Sequence, residues 1–308
     1  MRRRKLVGVG TPVAARNESA PVRISVVIAT VGRPDHLATS LAAYARLVPE
    51  TPPFEVIVVL DGWDPASAEV ASRPYPFPTL LLSQPRSGIG PAKNLGARSA
   101  TGDLLVFLND DTRPDDVCLL AHAAAQERFG PCIAVGRIDW DPDHEVTPYM
   151  AWLAPAGHQF NFARLEPDGP IPWDACWGAN LAVPRDWLLD EPFDPLLPFP
   201  ALEDGEWAYR QHLRRRPFRY VVAARVWHHH RIEGPGAFRR RARNAGATAR
   251  YVTGRHPRLA FTLVVRPVLA AAAASVLAAW PGRWRRTTLW DLAYRWGYVA
   301  GLLVPPSQ

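Results

Sequence analysis

Short apolar runs alternate with helix-like segments over the first 140 residues of the chain. Residues 24–29 and 54–60 are β-branched runs, and a helix-like segment at about 35–47 lies between them. Strand, helix and strand at this spacing form a βαβ unit, which implies parallel strands and a right-handed crossover. Further strands are predicted at 79–82, 104–108 and 133–138, with helices at about 88–100 and 115–129. The pattern predicts an α/β domain on a mostly parallel sheet flanked by helices.

Two of the predicted strands end in carboxylates. The run at 104–108 is apolar throughout, as in a strand buried on both faces, and Asn109, Asp110 and Asp111 follow it. The run at 54–60 ends in Asp61. Parallel strands direct their carboxyl ends to one edge of the sheet, where ligands bind in open α/β folds. Oxygen ligands there suit a divalent cation that holds substrate phosphates, although Asn-Asp-Asp alone also fits a strand-ending turn.

The second half of the chain is less regular. Residues 139–200 are rich in Pro, Trp and Phe, with one strand-like stretch at 180–183, and such long irregular segments are commonly substrate-binding loops. A helix is predicted at 202–213, and a strand at 219–226 leads into three consecutive histidines, 228–230. After about Gly236 the chain has the composition of a basic, Ala-rich helix.

Charge and cysteine content narrow the classes of function. The net charge of +7 is uneven, because Arg and Lys crowd residues 2–5, 214–216, 239–243 and 283–286. Such clusters suit anionic lipids, phosphorylated substrates or nucleic acid, but no nucleic-acid module is recognisable, so no nucleic-acid partner is expected. Three cysteines without metal-ligand spacing argue against a disulfide framework and against structural zinc, and they predict a cytoplasmic protein.

The N-terminal segment, residues 1–21, is predicted to be a mobile basic tail. Its apolar stretch is interrupted by Gly8, Gly10 and Pro12, so it is a poor signal-peptide core.

Several motifs recur in a recognisable order. Thr30 follows the first strand, and Asp61-Gly62 the second. Gly-Pro-Ala-Lys-Asn-Leu-Gly at 90–96, Phe-Leu-Asn-Asp-Asp at 107–111, Trp-Gly-Ala-Asn at 177–180, Glu-Asp-Gly-Glu at 203–206 and Trp-His-His at 227–229 come next. In order and spacing these motifs resemble the inverting family 2 glycosyltransferases of GT-A fold, over about residues 22–232. The resemblance implies a catalytic domain at 22–235 and a basic helical extension at 236–308.

The resemblance implies a nucleotide-binding role for several of these residues. Asp61 would recognise the base, with Thr30 and Arg33 lining the same pocket, and Asp110 would contact the ribose or a metal-bound water. Lys93 stands where the family commonly has Arg and would face the diphosphate, together with N–H groups at the start of its helix.

The loop at 177–180 matches the family segment that lies beneath the donor sugar. Trp177, Gly178 and Asn180 would contribute to donor binding, with Trp177 offering a flat apolar face to a sugar ring. A core position for this tryptophan fits the sequence equally well, because buried aromatic residues are usually packing residues.

The same family pattern implies a metal site for Mg²⁺ or Mn²⁺. Asp111 would bind the ion directly, whereas Asn109 replaces the first Asp of the common DxD motif and lowers the ligand charge. Histidines that follow one another in an extended chain face opposite sides, so at most alternate ones reach the site. The family favours His229 as a further ligand, and His228 next.

Catalysis would depend on the acidic pair at the start of the 202–213 helix. Asp204 would be the base, with Glu203 as its neighbour and Arg210 as the partner of the pair. Acidic residues in the first turn of a helix are also expected simply because they complement the helix dipole. The implied reaction moves a sugar, with inversion, from a UDP-, GDP- or dTDP-sugar to a hydroxyl of a glycan, lipid-linked or small-molecule acceptor.

Three alternatives compete with this function. A sugar-nucleotide nucleotidyltransferase also uses a parallel sheet and an acid-bound Mg²⁺, but the Gly-rich basic signature after the first strand is missing. A nicotinamide-dependent enzyme would need Gly-x-Gly-x-x-Gly there. The third is a degenerate nucleotide-sugar-binding module, against which the acids at 61, 110, 111 and 204 argue.

The apolar stretch at 259–280 has three interpretations. Arg266 and Pro267 interrupt it, which disfavours a single membrane span. Its basic flanks fit an anchor at an anionic membrane surface, on the inner face of the cell membrane. A buried Ala-rich helical hairpin fits the sequence at least as well.

Overall fold

The computed structural model describes residues 22–232, 234–279 and 286–304, so the predicted tail at 1–21 lies outside the described residues. Within these ranges eight strands form one sheet. They are β1 (Ile24–Thr30), β2 (Phe54–Asp61), β3 (Thr79–Gln84), β4 (Leu104–Leu108), β5 (Thr112–Pro114), β6 (Ile133–Trp140), β7 (Asn180–Pro184) and β8 (Phe218–His228). Their order across the sheet is β3-β2-β1-β4-β7-β6-β8-β5.

The first half of the sheet is parallel throughout. β1 pairs in parallel with β2 and with β4, and β2 pairs in parallel with β3. β7 runs antiparallel to β4 and β6, and β5 runs antiparallel to β8. The residues of β4 are all buried, as expected for a strand covered by helices on both faces. The predicted mostly parallel α/β sheet is confirmed.

The described part of the chain contains ten α-helices. They are α1 (Pro34–Ala43), α2 (Pro65–Ala71), α3 (Ile89–Ser99), α4 (Cys118–Phe129), α5 (Pro148–Leu153), α6 (Arg185–Asp190), α7 (Glu203–Leu213), α8 (Pro235–Arg255), α9 (Arg266–Ala278) and α10 (Arg286–Leu302). The segment 139–200, predicted to be irregular except at 180–183, also contains α5 and α6.

The short strand β5 is absent from the prediction. Its three residues directly follow the Asn-Asp-Asp motif. A three-residue strand has no periodicity of its own, and it exists because β8 offers a free edge on which it can pair. This pairing positions the histidines described below.

Helices α8 and α10 pack closely at glycines. A Cβ atom on Gly246 would lie 2.0 Å from the carbonyl oxygen of Tyr298, and one on Gly301 would lie 2.0 Å from that of Arg243. Because no side chain separates the two backbones at these positions, the C-terminal helices form a tight pair against the α/β domain.

The segment Pro257–Ala278 is long and apolar enough to cross a membrane, by length and composition alone. Only 11% of its most apolar stretch is buried, and Leu269, Val276 and Leu277 are 60%, 70% and 57% exposed. The buried helical hairpin considered from the sequence is therefore wrong. An apolar surface of this kind is typical of a site of contact with another molecule or a membrane.

Candidate functional site

The carboxyl ends of three adjacent parallel strands meet at one edge of the sheet. Thr30 ends β1, Asp61 ends β2, and Asp110 and Asp111 follow β4. A cavity of about 420 Å³ opens at this edge, and its wall includes Thr30, Arg33, Asp61, the turn at 86–91 and the loop at 194–200. The expected convergence of the strand-end residues is therefore present, and we call this space the first cavity.

Asp61 shapes the turn that begins α3. Its carboxylate accepts hydrogen bonds from the backbone N–H groups of Ser87, at 2.7 Å, and Gly88, at 2.9 Å. The side chain of Gln84 donates a third, at 2.9 Å. Gly88 has a φ of +100°, which a residue with a side chain rarely adopts. These contacts present the N-terminus of α3 to the first cavity, where its N–H groups favour an anion.

Arg33 joins the two acids that follow β4. Its guanidinium forms ion pairs with Asp110 and with Asp111, the latter at 2.9 Å, while the Thr30 hydroxyl donates to Asp110 at 2.6 Å. Burial raises the pKa of Asp110 to about 6, although Arg33 opposes this rise. Burial acts in the same direction on Asp111, but His228 and Arg33 outweigh it and lower its pKa to about 2. Asp111 is therefore the more acidic of the two carboxyl groups.

The pairing of β5 with β8 decides which histidine approaches Asp111. Thr112 lies opposite His228, which brings Nε2 of His228 to 3.8 Å from Oδ1 of Asp111. The ring of His229 points elsewhere, and its Nδ1 lies 3.2 Å from Nδ1 of His36. The ring of His36 lies 5.1 Å from that of His229 and 5.3 Å from that of His230, so the expected alternation of the histidines is not observed. The geometry favours His228 over His229 as the neighbour of Asp111, the reverse of the family-based preference.

The acid and the imidazole fit a cation that takes most of its ligands from elsewhere. Oδ1 of Asp111 is buried and has no hydrogen-bond partner among the described residues. Nor do these residues contain a group of three or more His, Cys, Asp or Glu side chains able to hold a metal ion. A carboxylate with one imidazole suits Mg²⁺ or Mn²⁺ completed by substrate phosphates and water.

A second cavity, of about 230 Å³, adjoins the first. Ile89, Pro200 and Glu203 contribute to the walls of both. Lys93, Asn109, Trp177, Gly178 and Asp204 also line the second cavity. The predicted base, its acidic neighbour and most of the predicted donor-sugar loop are therefore brought together.

Gly178 lies between the acidic pair and Lys93. Its N–H donates to Oδ2 of Asp204 at 2.8 Å, and its carbonyl accepts from Nζ of Lys93 at 3.0 Å. A Cβ atom here would lie 2.8 Å from that Nζ and 3.1 Å from Cβ of Asp204. A side chain here would therefore displace Lys93 or Asp204, a constraint invisible in the isolated Trp-Gly-Ala-Asn motif.

Lys93 is buried beneath the acidic pair. It is 1% exposed, lies 3.6 Å from Oε1 of Glu203 and is absent from the wall of the first cavity. Burial and the neighbouring Asp204 raise the pKa of Glu203, and Lys93 opposes this rise. The geometry thus makes Lys93 a counter-ion of Glu203, and its expected diphosphate contact stays a prediction.

Two further residues have partners other than those expected. Asn180 is fully buried: its amide nitrogen donates to the carbonyls of Arg137 and Ala224, and Oδ1 lies 2.8 Å from Nε2 of His122. Its hydrogen bonds are used inside the sheet, and its donor-binding role stays a prediction. Arg210 pairs with Glu206 and Glu191 instead of the acidic pair.

The α/β part of the chain matches a known family. The family model described as glycosyl transferase family 2 matches residues 25–186, more than half of the chain. The chain belongs to glycosyl transferase family 2. Over 93 residues it is 33% identical to the succinoglycan biosynthesis protein ExoM of Rhizobium meliloti (strain 1021), a match that covers 29% of this chain and 30% of that relative.

Solved structures extend the similarity to the C-terminal helices. A mannosyltransferase, PcManGT from Pyrobaculum calidifontis, in complex with GDP-Man and Mn²⁺, has a TM-score of 0.63 at 15% identity, covering 92% of this chain and 87% of its own. Residues 1–349 of S. aureus TarS, in complex with UDP-GlcNAc, have a TM-score of 0.54 at 16% identity, covering 90% of each chain. At these identities the likeness concerns the fold, and the predicted GT-A fold is confirmed.

Proposed function

We propose that this family 2 glycosyltransferase moves a sugar from a nucleotide-diphosphate sugar to an acceptor hydroxyl, with inversion at the anomeric carbon. The proposal depends on one observation: two cavities meet at Glu203. The first is lined by Asp61 and the N-terminus of α3, and the second by the carboxylate of Asp204. Relatives of the same fold hold GDP-Man or UDP-GlcNAc. UDP, GDP and dTDP are the donor nucleotides we propose for this chain.

The nucleotide would occupy the first cavity. The N-terminus of α3, shaped by Asp61, would bind the diphosphate through its N–H groups, because a helix N-terminus favours negative charge. Asp61, Thr30 and Arg33 line this cavity, and Asp61 would contact the base. Asp110, which is bound to Arg33 and Thr30, would lie on the ribose side. Arg33 would exchange one of its two carboxylate partners for the ligand.

Asp111 and His228 would hold Mg²⁺ or Mn²⁺. When bound, the ion would neutralise the charge of the departing diphosphate as a Lewis acid. The low pKa of Asp111 keeps this carboxylate ready to bind a cation at neutral pH.

Asp204 would take the proton from the acceptor hydroxyl. Its two oxygens accept hydrogen bonds from the N–H groups of Gly178 and Gly205, both at 2.8 Å, which orient the carboxylate toward the second cavity. A general base at this position must lie on the acceptor side of the sugar, opposite the leaving group. Glu203, with Lys93 as counter-ion, would hold the start of α7 between donor and acceptor.

A donor panel tests this proposal. The purified protein is mixed with individual UDP-, GDP- and dTDP-sugars, with and without Mn²⁺, and its thermal stability and the release of nucleotide are measured. At least one donor should raise the melting temperature in a Mn²⁺-dependent way, and Asp111→Ala should abolish that dependence. Stabilisation that ignores the metal and persists in the variant would contradict the site.

We also propose that the C-terminal helices rest on an anionic membrane surface, which makes the protein cytoplasmic and peripheral to the cell membrane. The exposed apolar side chains of α9 and the arginines near its start supply the two attractions that such binding needs. By analogy with the succinoglycan biosynthesis relative, a glycan or lipid-linked acceptor of polysaccharide synthesis suits this setting.

Vesicle sedimentation tests the membrane proposal. The full chain should sediment with phosphatidylglycerol vesicles more than with phosphatidylcholine vesicles, and the double variant Leu269→Glu/Val276→Glu should lose this binding. Leu213→Glu, at a leucine that is 54% exposed on α7, is the matched control. Equal sedimentation of the double variant and the wild type would contradict the membrane proposal.

A further inference from the structure

The second cavity has one wall that the family motifs do not supply. Phe238, Arg241 and Ala242 come from α8, Tyr294 comes from α10, and the loop at 158–160 completes the wall. The C-terminal helices are therefore part of the cavity that contains Asp204. Specificity for whatever enters this space must depend on this wall as well as on the motif residues.

Gln159 is the unusual residue of this wall. It is 3% exposed, yet both its amide nitrogen and its amide oxygen are buried without a hydrogen-bond partner among the described residues. Buried amide groups are almost always hydrogen-bonded, because a group that has lost water and gained no partner destabilises the fold. A fully unpaired amide in the wall of a cavity is typical of a group reserved for a ligand.

The residues on either side hold Gln159 in place. Nε2 of His158 lies 2.7 Å from Oδ1 of Asp291 on α10, and the His158 ring stacks on Tyr294 with centroids 4.1 Å apart. Phe160 has a φ of +49°, an uncommon conformation for a residue with a side chain, and its ring lies 5.6 Å from that of Trp177. The backbone of Gln159 is thus held between α10 and the loop at 177–180.

We propose that Gln159 binds the acceptor and selects a sugar unit in it. A primary amide offers donors and an acceptor within one plane, which matches two neighbouring hydroxyl groups, since each hydroxyl can donate or accept. The aromatic rings of Phe160 and Trp177 in the same wall supply apolar surface for the ring of such a sugar. The inference rests on the proposed function and adds the class of acceptor.

The acceptor, rather than the nucleotide, is the ligand that this position suits. Gln159 is absent from the wall of the first cavity and shares the second with Asp204, the proposed base. A neutral amide also binds hydroxyl groups better than charged phosphates. Removal of Gln159 should therefore weaken binding of the acceptor far more than binding of the donor.

The test compares Gln159→Met with Gln126→Met. Gln126 has both amide atoms paired, because Oε1 accepts from the N–H of Cys132 at 3.0 Å and Nε2 donates to its carbonyl at 3.1 Å. Transfer from the donor found in the panel is measured with octyl β-glycosides of glucose, galactose, mannose and N-acetylglucosamine. Donor hydrolysis without glycoside is measured in parallel.

In Gln159→Met, KM for the transferred octyl glycoside should rise roughly tenfold or more, because an enzyme hydrogen bond to a substrate hydroxyl is lost. The donor KM should change much less, and Gln126→Met should change neither constant. An unchanged acceptor KM in Gln159→Met would overturn the inference. So would a wild-type enzyme that hydrolyses its donor but transfers to none of the four glycosides. Absence of any donor hydrolysis would instead refute the proposed function, and with it this inference.

Thermal melting gives a second readout that needs no acceptor. Gln159→Met removes two unpaired buried polar atoms, so its melting temperature should stay equal or rise. Gln126→Met removes a paired amide and should melt several degrees lower. Equal losses in the two variants would mean that Gln159 has a structural role, which would also overturn the inference.

Discussion

The most direct test of the site geometry is the substitution Gly178→Ala. The added Cβ atom would lie 2.8 Å from Nζ of Lys93 and 3.1 Å from Cβ of Asp204. Lys93 cannot retreat easily, because it is 1% exposed and bound to the carbonyl of Gly178 itself. The atoms that must yield are therefore the lysine, the proposed base, or the 177–180 loop.

The expected cost has two parts. Overpacking a filled interior typically lowers the free energy of unfolding by about 1–3 kcal/mol. Displacing a catalytic group by about 1 Å can lower the rate by roughly 10²-fold. Because the N–H of Gly178 orients Asp204, we expect the rate loss to exceed what the change in stability alone would cause.

Gly205→Ala is the matched control, since this glycine also donates its N–H to Asp204 but has no atom within 4 Å of its missing Cβ. Alanine should stabilise α7 there by up to about 1 kcal/mol and leave turnover near wild type. Urea unfolding followed by tryptophan fluorescence, and nucleotide release with donor and acceptor, measure both quantities. If the two variants are equally stable and equally active, the proposed arrangement around Asp204 is wrong.

Three further predictions follow from the same structure. Asp204→Asn should lower transfer by roughly 10²- to 10⁴-fold with little change in donor binding, measured by product formation and calorimetry, and wild-type turnover would exclude Asp204 as the base. Asn180→Ala should lower the free energy of unfolding by about 1–3 kcal/mol per carbonyl left unpaired, with the donor KM unchanged; a raised donor KM in a stable variant would support donor binding by Asn180. Arg113→Met should destabilise the protein at neutral pH. Burial alone would raise the pKa of Asp141, but the hydrogen bonds from Arg113 lower it, and the net shift is downward. The ion pair therefore stabilises the fold above the pKa of Asp141 in the unfolded chain, and this stabilisation disappears as pH falls through the pKa in the folded protein. The difference in urea midpoint between wild type and variant should shrink below about pH 4, and a pH-independent difference would contradict the ion pair.

The sequence alone determined the architecture and the position of the acids. Strands buried on both faces must be apolar throughout, so the run at 104–108 was recognisable without any partner. Since parallel strands end at one edge, Asp61 and Asp111 could be placed near each other from the element order. The ordered motifs then indicated the family, because their spacing reflects this same chain path.

Only the tertiary structure decided the partners of individual side chains. The choice of His228 over His229 depends on β5 pairing with β8, residues more than a hundred positions apart. The neighbouring sequence does not reveal the surroundings of three polar residues. Lys93 is a buried counter-ion, the Asn180 amide is hydrogen-bonded inside the sheet, and the Gln159 amide is unpaired among the described residues. Periodicity records which face of an element is buried. Which polar atom meets which is set by contacts between distant segments, and these exist only once the chain has folded.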